Sequence, residues 1–593
     1  MSIIDTHPAT LWVHGRRSDV AIDCGRPSQY HGFCPGSTAT RCTRHDDARE
    51  YRHPHDTEYT MPDRPNFLVI MTDQHRFDHL GCYWQALLDN RSAAALPIQT
   101  PALDRLAAEG VYCSHAYVNN PLCMPSRSTL LTGLTPRGHG VRTNGINLRS
   151  DLPTIVDAVR QAGYRTHSVG KIHARTFWAP NGADVADVDP SRFSECRLLW
   201  ETGRLTSLPS PYYGFETTEF TGAHVSTIFG DYLNWLRREH PGADRLLLPD
   251  AGSRPVNGAE QTYTMALPAE LHYNNWIADR SIAFLEQAAA PARMGRPFML
   301  WCSFPDPHHP FAAPEPWASM YDRASIPLPK RRDGELADLP PHFAAIYDHG
   351  FPLSGRFDAT RATDDQLREI IAMTCGMVSH VDHETGRVLD ALDRLGLRDD
   401  TVVVFLADHG DMLGDHWLIN KGPFHFDGLL RVPYIWRWPG RFPAGRRADS
   451  LASLLDFAPT ILDLAGVPIP EGDVPLVPET DRMPQPWPGR SMRAVLEGTT
   501  ERTREVALIE NDEDYLGLRL RTLVTETHQL TIYVGDDGEQ PYGELFDLRA
   551  DPDQLRNLWS DPASQQLKLE LKARLLAEIV ATDSVLPRRL CHA

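Results

Sequence analysis

Polar residues of types that bind metals or anions directly follow four separate apolar segments. Because the carboxyl ends of parallel strands meet at one edge of a sheet, these residues are expected to lie close together. Carboxylate, amide and imidazole groups bind divalent metals, and ammonium groups bind anions. The pairs of apolar segment and polar terminus are 66–72 with Asp73 and Gln74, 164–170 with Lys171, 297–304 with 306–309, and 401–407 with Asp408 and His409.

A fifth segment, residues 119–133, combines a cysteine, a proline and an arginine at short spacing. Cys123 lies just before a helix that Pro125 can start, so its side chain is expected over free backbone N–H groups that favour an anion. Arg127 is four residues on, which places it on the same helical face. Taken alone, the segment also fits a buried cysteine beside a structural arginine.

The elements that would position these groups alternate between strand and helix. Helices are predicted at 100–110, 152–162 and 364–395, since each has a capping signal or a terminal glycine and apolar residues on one face. The pattern predicts an α/β fold with a large mixed, mostly parallel sheet flanked by helices.

The last hundred residues depart from this pattern. Short antiparallel strands are predicted at 505–510, 519–525 and 529–534, followed by a closing helix at 567–579. We therefore expect a catalytic domain at 61–495 and a smaller α+β subdomain at 496–593, connected by the Pro-rich stretch 467–488.

Residues 1–60 lack apolar periodicity, which predicts a poorly ordered N-terminal extension. The extension contains Cys24, Cys34, Cys42 and His45. Zinc sites use short paired spacings, whereas the gaps between these cysteines are ten and eight residues, so a zinc site is disfavoured.

Composition excludes several classes of protein. The 593 residues carry 59 Lys and Arg against 78 Asp and Glu, a formal charge of −19, which argues against nucleic acid or an anionic membrane as the main partner. No apolar run approaches the roughly 20 residues of a membrane span, and no signal peptide is evident. The ten cysteines lack paired short spacings, so buried free thiols and a cytoplasmic location are expected.

The motif Cys123-x-Pro-Ser-Arg127, followed by Ser-x-Leu-Leu-Thr-Gly133, resembles the sulfatase signature of the alkaline phosphatase superfamily. Other segments occur in that family's order, and the resemblance covers residues 65 to about 580. These segments are Asp73-Gln74, Gly170-Lys-Ile-His173, Pro307-His308-His-Pro310, the run from Asp408 to Asp415, Lys421-Gly-Pro423, Glu544-Leu-Phe-Asp547, Asp551-Pro and Asn557-Leu.

The resemblance implies hydrolysis of sulfate monoesters to an alcohol and sulfate by an arylsulfatase-like sulfuric ester hydrolase. It implies that a dedicated maturase oxidises Cys123 to formylglycine (3-oxoalanine). The aldehyde would hydrate, one hydroxyl would attack sulfur as the alcohol leaves, and the second would lose its proton and expel sulfate. A serine ester would instead need water to break its bond to sulfur.

The resemblance also implies one divalent metal ion, bound by Asp73, Gln74, Asp408, His409 and an oxygen of modified residue 123. Many sulfatases have Asp at the position of Gln74 and Asn at that of His409. Calcium prefers all-oxygen shells, so the histidine leaves Mn²⁺ and Mg²⁺ as alternatives, although the resemblance ranks Ca²⁺ first.

The remaining catalytic groups implied by the resemblance are cations and histidines. Arg127, Lys171 and Lys421 would make a positive pocket for a small anionic sulfate ester. His173 would take the proton of the second hydroxyl, and His308 with Lys421 would protonate or stabilise the leaving alcohol. Each of these residues, taken singly, also fits a role in packing or on the surface.

Other residues carry less weight. His380 and His383 are interpreted as helix surface or packing. Pocket-lining positions without chemistry are expected for His309, His416 and His425, and Asn144 could contact the ester oxygens. Residues 184–258 and 334–362 are expected to form the pocket rim.

Two alternatives stay open. A phosphonate monoester or phosphodiester hydrolase of the same superfamily shares the Asp-Gln and Asp-His pairs, whereas Lys171 and His173 favour the sulfatase. A catalytically silent relative would only bind a sulfated or phosphorylated partner. The sequence leaves a homo-oligomer open.

Overall fold

The computed structural model describes residues 64–88, 95–349, 359–468, 487–514, 516–535 and 542–583. All of these belong to one compact unit, Met61–Ala593. The predicted extension at 1–60, with its four candidate zinc residues, lies outside the described residues, as does most of the predicted linker at 467–488.

A nine-stranded sheet is the centre of the catalytic domain. Five of its strand pairs are parallel and three are antiparallel, which confirms the predicted mixed, mostly parallel sheet. Its order is β11-β2-β10-β9-β1-β7-β3-β4-β5. These strands are β1 (Asn66–Thr72), β2 (Val111–Tyr117), β3 (Arg165–Gly170), β4 (Thr217–Gly222), β5 (Phe229–Gly230), β7 (Phe298–Ser303), β9 (Thr401–Ala407), β10 (Tyr434–Arg437) and β11 (Arg446–Ser453), while β6 (Thr262–Met265) and β8 (Phe311–Pro314) pair separately.

The helices alternate with these strands along the chain. In order they are α1 (Gly81–Leu88), α2 (Pro101–Ala108), α3 (Cys123–Thr132), α4 (Pro136–His139), α5 (Ile155–Gln161), α6 (Arg197–Glu201), α7 (Asp231–Glu239), α8 (Tyr273–Arg293), α9 (His342–His349), α10 (Asp364–Arg394), α11 (Asp427–Leu430), α12 (Phe457–Ala465) and α13 (Arg493–Leu496). The helices predicted at 100–110, 152–162 and 364–395 are α2, α5 and α10. No described helix is long and apolar enough to cross a membrane.

The central strands β1, β7 and β9 are buried along their whole length. Successive side chains of a strand point to opposite faces, so burial of every residue means that the sheet is covered on both faces. This is why these segments are continuous apolar runs rather than alternating ones. The core that they form is rigid and close-packed, which suits it to hold a site at its edge.

The strand register aligns the ends of four strands. Thr72 of β1 pairs with Ala407 of β9, and Ser303 of β7 pairs with both Met71 of β1 and Gly170 of β3. The residues that follow these strands therefore emerge at the same edge, as the sequence predicts.

The C-terminal part is a four-stranded antiparallel sheet with one helix. Its strands are β12 (Val506–Glu513), β13 (Leu518–Thr525), β14 (His528–Gly535) and β15 (Tyr542–Asp547), and the helix is α14 (Gln565–Ala581). Leu571 and Leu575 of the helix pack on leucines of all four strands. The predicted α+β character is confirmed, whereas the boundary at residue 495 stays a prediction.

Candidate active site

The ends of β1 and β9 hold two buried carboxylates side by side. Asp73 and Asp408 directly follow these strands, and both are fully buried. The Asp408 backbone N–H donates to the Thr72 carbonyl oxygen at 3.2 Å, and the Gln74 N–H donates to Asp408 Oδ1 at 3.1 Å. Gln74 has a positive φ of 63°, an uncommon conformation for a non-glycine residue that often marks a functional site.

Helix α3 brings Cys123 to these carboxylates. Cys123 is the first residue of the helix, two positions earlier than a start at Pro125 would give, and Leu122 is its N-cap. Ser126 Oγ donates to the Asp408 carbonyl oxygen at 2.6 Å, which ties the first turn of α3 to the end of β9. The thiol therefore lies at the sheet edge and not in apolar packing.

Four side chains form a compact group of potential metal ligands. One ligand atom from each of Asp73, Cys123, Asp408 and His409 lies within 4.8 Å of the others, and all four residues are buried. His409 Nε2 is 3.2 Å from Cys123 Sγ, 3.6 Å from Asp73 Oδ1 and 3.7 Å from Asp408 Oδ1. Two carboxylates and one imidazole fit a divalent ion in their donor chemistry.

The predicted fifth ligand, Gln74, faces the same space. Its Nε2 is held by Asp411 Oδ2 at 2.5 Å and by His309 Nδ1 at 3.1 Å, so its Oε1 points the other way, 3.1 Å from Lys421 Nζ. The sequence did not assign a role to Asp411, although it lies within the quoted run from Asp408 to Asp415. Asp411 fixes the orientation of the amide, so that its oxygen rather than its nitrogen faces Lys421.

The Arg127 guanidinium bridges the two carboxylates and compensates their negative charge. Its Nε donates to Asp408 Oδ2 at 2.6 Å, and its other nitrogens donate to Asp73 Oδ2 at 3.0 Å and to the Lys171 carbonyl oxygen at 2.9 Å. Burial would raise the pKa of the Asp73 carboxyl, but Lys171 and Arg127 outweigh it and hold that pKa well below its ordinary value. The Asp73 carboxylate is thus held as an anion.

Two lysines supply positive charge beside Asp73 and Cys123. Lys171 Nζ contacts Asp73 Oδ2 and lies 2.6 Å from His224 Nε2. Lys421 Nζ lies 3.1 Å from Cys123 Sγ and 2.9 Å from His308 Nε2. Burial and Asp73 would raise the pKa of the Cys123 thiol, but Lys171, Lys421 and His409 outweigh them and lower it. An anion at position 123 is therefore stabilised.

His308 is neutral and has a defined tautomer. Its Nδ1 is 2.5 Å from the His309 carbonyl oxygen, so Nδ1 carries the proton, and Nε2 accepts from Lys421. Burial, followed by the charges of His224 and Lys421, lowers the pKa of His308 well below its ordinary value. The proton between Lys421 and His308 is therefore on Lys421.

His173 lies beside Lys171 but makes fewer contacts than the other predicted groups. Its ring stacks on Phe177 with centroids 3.8 Å apart, and its Nδ1 has no hydrogen-bond partner among the described residues. Burial, and then Lys171, lower the pKa of His173 well below its ordinary value. A neutral, partly unpaired imidazole is able to accept a proton.

Glu195, which the sequence did not indicate, holds the segment that contains His173. Its buried carboxylate accepts three successive backbone N–H groups at 2.8, 3.0 and 3.1 Å, from His173, Ala174 and Arg175. The Tyr212 hydroxyl donates to it at 2.7 Å. His173 has a positive φ of 58°, and Glu195 supplies the hydrogen bonds that keep this turn in place.

Replacing Glu195 with alanine is expected to destabilise the protein by at least about 3 kcal/mol, because three buried N–H groups lose their acceptor. The rate constant kcat/KM is expected to fall about 10- to 100-fold as Lys171 and His173 lose their fixed positions. Thermal unfolding and steady-state kinetics measure the two effects. The control is Glu201→Ala, which breaks an exposed ion pair with Arg197 and should change stability by at most about 0.5 kcal/mol. Equal effects of the two substitutions would contradict this role of Glu195.

Asn144 and three further histidines make contacts with residues other than the four potential metal ligands. Asn144 Oδ1 accepts the Met124 N–H at 3.0 Å, so it stabilises the start of α3. His416 is near Glu335, and His425 Nδ1 is 2.6 Å from Thr522 Oγ1, so both are occupied in packing. His380 is buried against Trp317, which agrees with its interpretation as a packing residue.

The segment 184–258 contributes more than a rim, since it supplies both Glu195 and His224 to the interior of the site. Nine residues of the other predicted rim segment, 350–358, lie outside the described residues. Neither Glu195 nor His224 follows a strongly apolar strand, and this is why the pattern of strand ends did not indicate them.

The comparison with protein families agrees with this geometry. The sequence model of the sulfatase family matches residues 65–467. The chain belongs to the sulfatase family. A second model, described as the C-terminal part of N-sulphoglucosamine sulphohydrolase, matches residues 414–581. The sulfatase signature and the sulfuric ester hydrolase activity inferred from it are thereby confirmed.

Individual relatives match over most of this sulfatase. The uncharacterized sulfatase YidJ of Escherichia coli (strain K12) is 28% identical over 516 residues, which are 86% of this chain and 86% of that protein. An arylsulfatase of Clostridium perfringens is 28% identical over 510 residues, 84% of this chain and 90% of the relative.

Among solved structures, a phosphonate monoester hydrolase from Silicibacter pomeroyi superposes with a TM-score of 0.69 and 25% sequence identity. The match covers 89% of this chain and 98% of that structure. The fold is therefore shared with enzymes that act on phosphorus as well as on sulfur.

Proposed function

We propose that this sulfatase hydrolyses sulfate monoesters with formylglycine at position 123 as its nucleophile, beside one divalent metal ion. The observation that carries the proposal is the convergence of Cys123 with Asp73, Asp408 and His409 in one buried cluster. A maturase is needed as a partner, because oxidation of the thiol to an aldehyde is outside the chemistry of the site itself.

The donor set fits a divalent metal held by Asp73, Gln74, Asp408, His409 and the side chain at 123. When bound there, the metal would polarise the sulfate oxygens and favour the ionised form of the nucleophile. The family resemblance ranks Ca²⁺ first. Calcium prefers an all-oxygen set of ligands, whereas the imidazole nitrogen of His409 favours Mn²⁺. Metal content measured on purified protein decides between Ca²⁺, Mn²⁺ and Mg²⁺.

Formylglycine would supply a hydrated aldehyde with one oxygen for attack on sulfur and a second for release of sulfate. The chain's own residues arrange the substrate around that group. Lys171 and Lys421 contact Asp73 and Cys123, so their ammonium groups would donate to the sulfate oxygens, while Arg127 is occupied with the two carboxylates. The cationic side chains account for how a chain of charge −19 binds an anion.

The leaving alcohol is protonated by the pair of Lys421 and His308. Lys421 holds the proton, and His308 Nε2, which accepts from Lys421, keeps the ammonium pointed at the reacting centre. We propose that His173, whose Nδ1 has no hydrogen-bond partner among the described residues, takes a proton from the hydrated side chain at 123. This division assigns separate roles within the pair, since the resemblance implies only that His308 with Lys421 protonates or stabilises the leaving alcohol.

Replacing His308 with alanine is expected to slow the hydrolysis of alkyl sulfates more than that of aryl sulfates. An alkoxide needs a proton to leave, whereas a nitrophenolate does not. We expect kcat/KM to fall about 100- to 1000-fold for choline sulfate and about 10-fold for nitrophenyl sulfate. Steady-state kinetics on both substrates measure the difference. An equal loss on the two substrates would show that His308 has no part in protonating the leaving group.

A second candidate activity is hydrolysis of phosphonate monoesters or phosphodiesters. It is favoured by the shared fold of the phosphonate monoester hydrolase and by the Asp73-Gln74 and Asp408-His409 pairs. Rates on nitrophenyl sulfate, choline sulfate, sugar sulfates and phenyl phosphonate decide between the two. The proposal predicts that kcat/KM for at least one sulfate ester exceeds kcat/KM for phenyl phosphonate. A kcat/KM for phenyl phosphonate above those for all the sulfate esters would overturn it.

A further inference from the structure

A histidine that follows a short strand lies against two of the proposed catalytic residues. His224 follows the end of β4 by two residues, and its Nε2 is 2.6 Å from Lys171 Nζ. The same nitrogen is 3.9 Å from Asp73 Oδ2. Its ring stacks on the His308 ring with centroids 3.4 Å apart and an interplanar angle of 2°. His224 therefore contacts Lys171 by a hydrogen bond and His308 by its ring face.

The hydrogen bond has a fixed direction. An ammonium group has three donors and no acceptor, so Lys171 donates and His224 Nε2 accepts, which leaves the ring proton on Nδ1. A second Lys171 donor goes to Asp73 Oδ2. With two of its three N–H bonds held by Asp73 and His224, the ammonium has one further N–H that could donate to a bound anion.

The backbone around His224 is held in an uncommon conformation. The residues on both sides have positive φ, 60° at Ala223 and 46° at Val225. Val225 is β-branched and fully buried, so a positive φ there is a genuine outlier. Such conformations persist only where the surrounding structure imposes them, and they cluster at functional sites.

A side-chain hydrogen bond also stabilises this turn. Thr227 Oγ1 donates to the His224 carbonyl oxygen at 2.7 Å. The turn from 223 to 227 thus presents the imidazole at one angle, flat against His308 and with Nε2 toward Lys171. A residue that served only to fill space would not need this angle.

We propose that His224 is a positioning residue that aims the Lys171 ammonium at the sulfate group and keeps the His308 ring in its plane. The inference rests on the proposed function of this site. The proposed role of His224 has two components. Its Nε2 orients Lys171 by a hydrogen bond, and its ring face holds His308 by stacking.

Two substitutions separate these parts. His224→Phe keeps a flat ring against His308 but removes the acceptor, whereas His224→Gln keeps an acceptor for Lys171 but removes the ring. We expect His224→Phe to lower kcat/KM for nitrophenyl sulfate about 10- to 100-fold, the usual effect of losing a hydrogen bond to a charged group. His224→Gln should restore kcat/KM to within about threefold of the wild type for this substrate, whose leaving group needs little help from His308.

The matched control is His167→Phe. His167 is also a buried, stacked histidine, with its ring on Phe284 and its Nδ1 2.7 Å from Thr217 Oγ1, but it contacts none of the proposed catalytic residues. We expect this variant to keep kcat/KM within about twofold of the wild type. Thermal unfolding of all variants separates loss of fold from loss of position.

Binding of inorganic sulfate, measured by calorimetry on the metal-loaded protein, gives a readout that does not need turnover. Weaker sulfate binding in His224→Phe than in His224→Gln supports the proposal. Equal binding and equal kcat/KM in the two variants would overturn it, whether both resemble the wild type or both are impaired. If the wild type failed to hydrolyse any sulfate ester, the proposed function would fail, and the sulfate-binding comparison would still decide the role of His224.

Discussion

Replacing Cys123 with alanine is expected to lower kcat/KM for sulfate esters by about 10⁴-fold or more, because the variant has no atom able to form the bond to sulfur. Little change in stability is expected, since alanine is smaller, apolar and compatible with the first turn of α3. The metal should also bind less tightly, because residue 123 supplies one of its proposed ligands. Kinetics with nitrophenyl sulfate and thermal unfolding measure these effects.

A serine at the same position provides the informative comparison. Cys123→Ser keeps an oxygen nucleophile but has only one hydroxyl, so a sulfated serine has no internal route to expel sulfate. We expect one equivalent of sulfate to become attached per protein, followed by arrest, which radiolabelled substrate would show. Continuous turnover by the alanine variant would contradict the role of residue 123 as nucleophile.

Replacing Asp408 with alanine is expected to have the second largest effect, because this residue serves both the metal and Arg127. The variant should lose the metal ion, and kcat/KM should fall about 1000-fold or more. Removing one partner of a buried ion pair costs about 3–5 kcal/mol, so the fold is also weakened. Metal analysis by mass spectrometry and thermal unfolding measure the two consequences separately.

The control for loss of stability is a second buried pair of the same type. Asp456 accepts two hydrogen bonds from Arg504, both residues are buried, and neither belongs to the proposed metal site. Asp456→Ala should therefore destabilise the protein to a similar extent while its metal content stays at the wild-type level. Wild-type metal content in Asp408→Ala would refute Asp408 as a ligand.

The fold could be predicted because its main signals are local. Residues 66–72 and 401–407 are continuous apolar runs that only a strand covered on both faces would bury, and they form β1 and β9. The closing helix at 567–579 could be predicted from the spacing of its leucines. Two of these leucines, Leu571 and Leu575, are buried in the structure. Since register aligns the strand ends, the same reasoning also indicated Asp73, Lys171 and Asp408 as neighbours.

The remaining part of the site depends on contacts distant in sequence. Glu195 has no motif, and its role follows only from the three N–H groups that converge on it. His224 follows β4, whose first residues are only partly buried and which gives little apolar signal. Asp411 lies within a recognised motif, yet its bond to Gln74 depends on how the segments after β1 and β9 meet.

The chemical state of residue 123 tests the central claim most directly. Trypsin releases residues 106–127 as one peptide, which contains Cys123 and also Cys113, a buried strand residue that provides an internal reference for an unmodified thiol. Mass spectrometry of protein produced with an active maturase should show an aldehyde or its hydrate at 123 and a thiol at 113. A thiol at both positions, in protein that nevertheless turns over sulfate esters, would contradict the account.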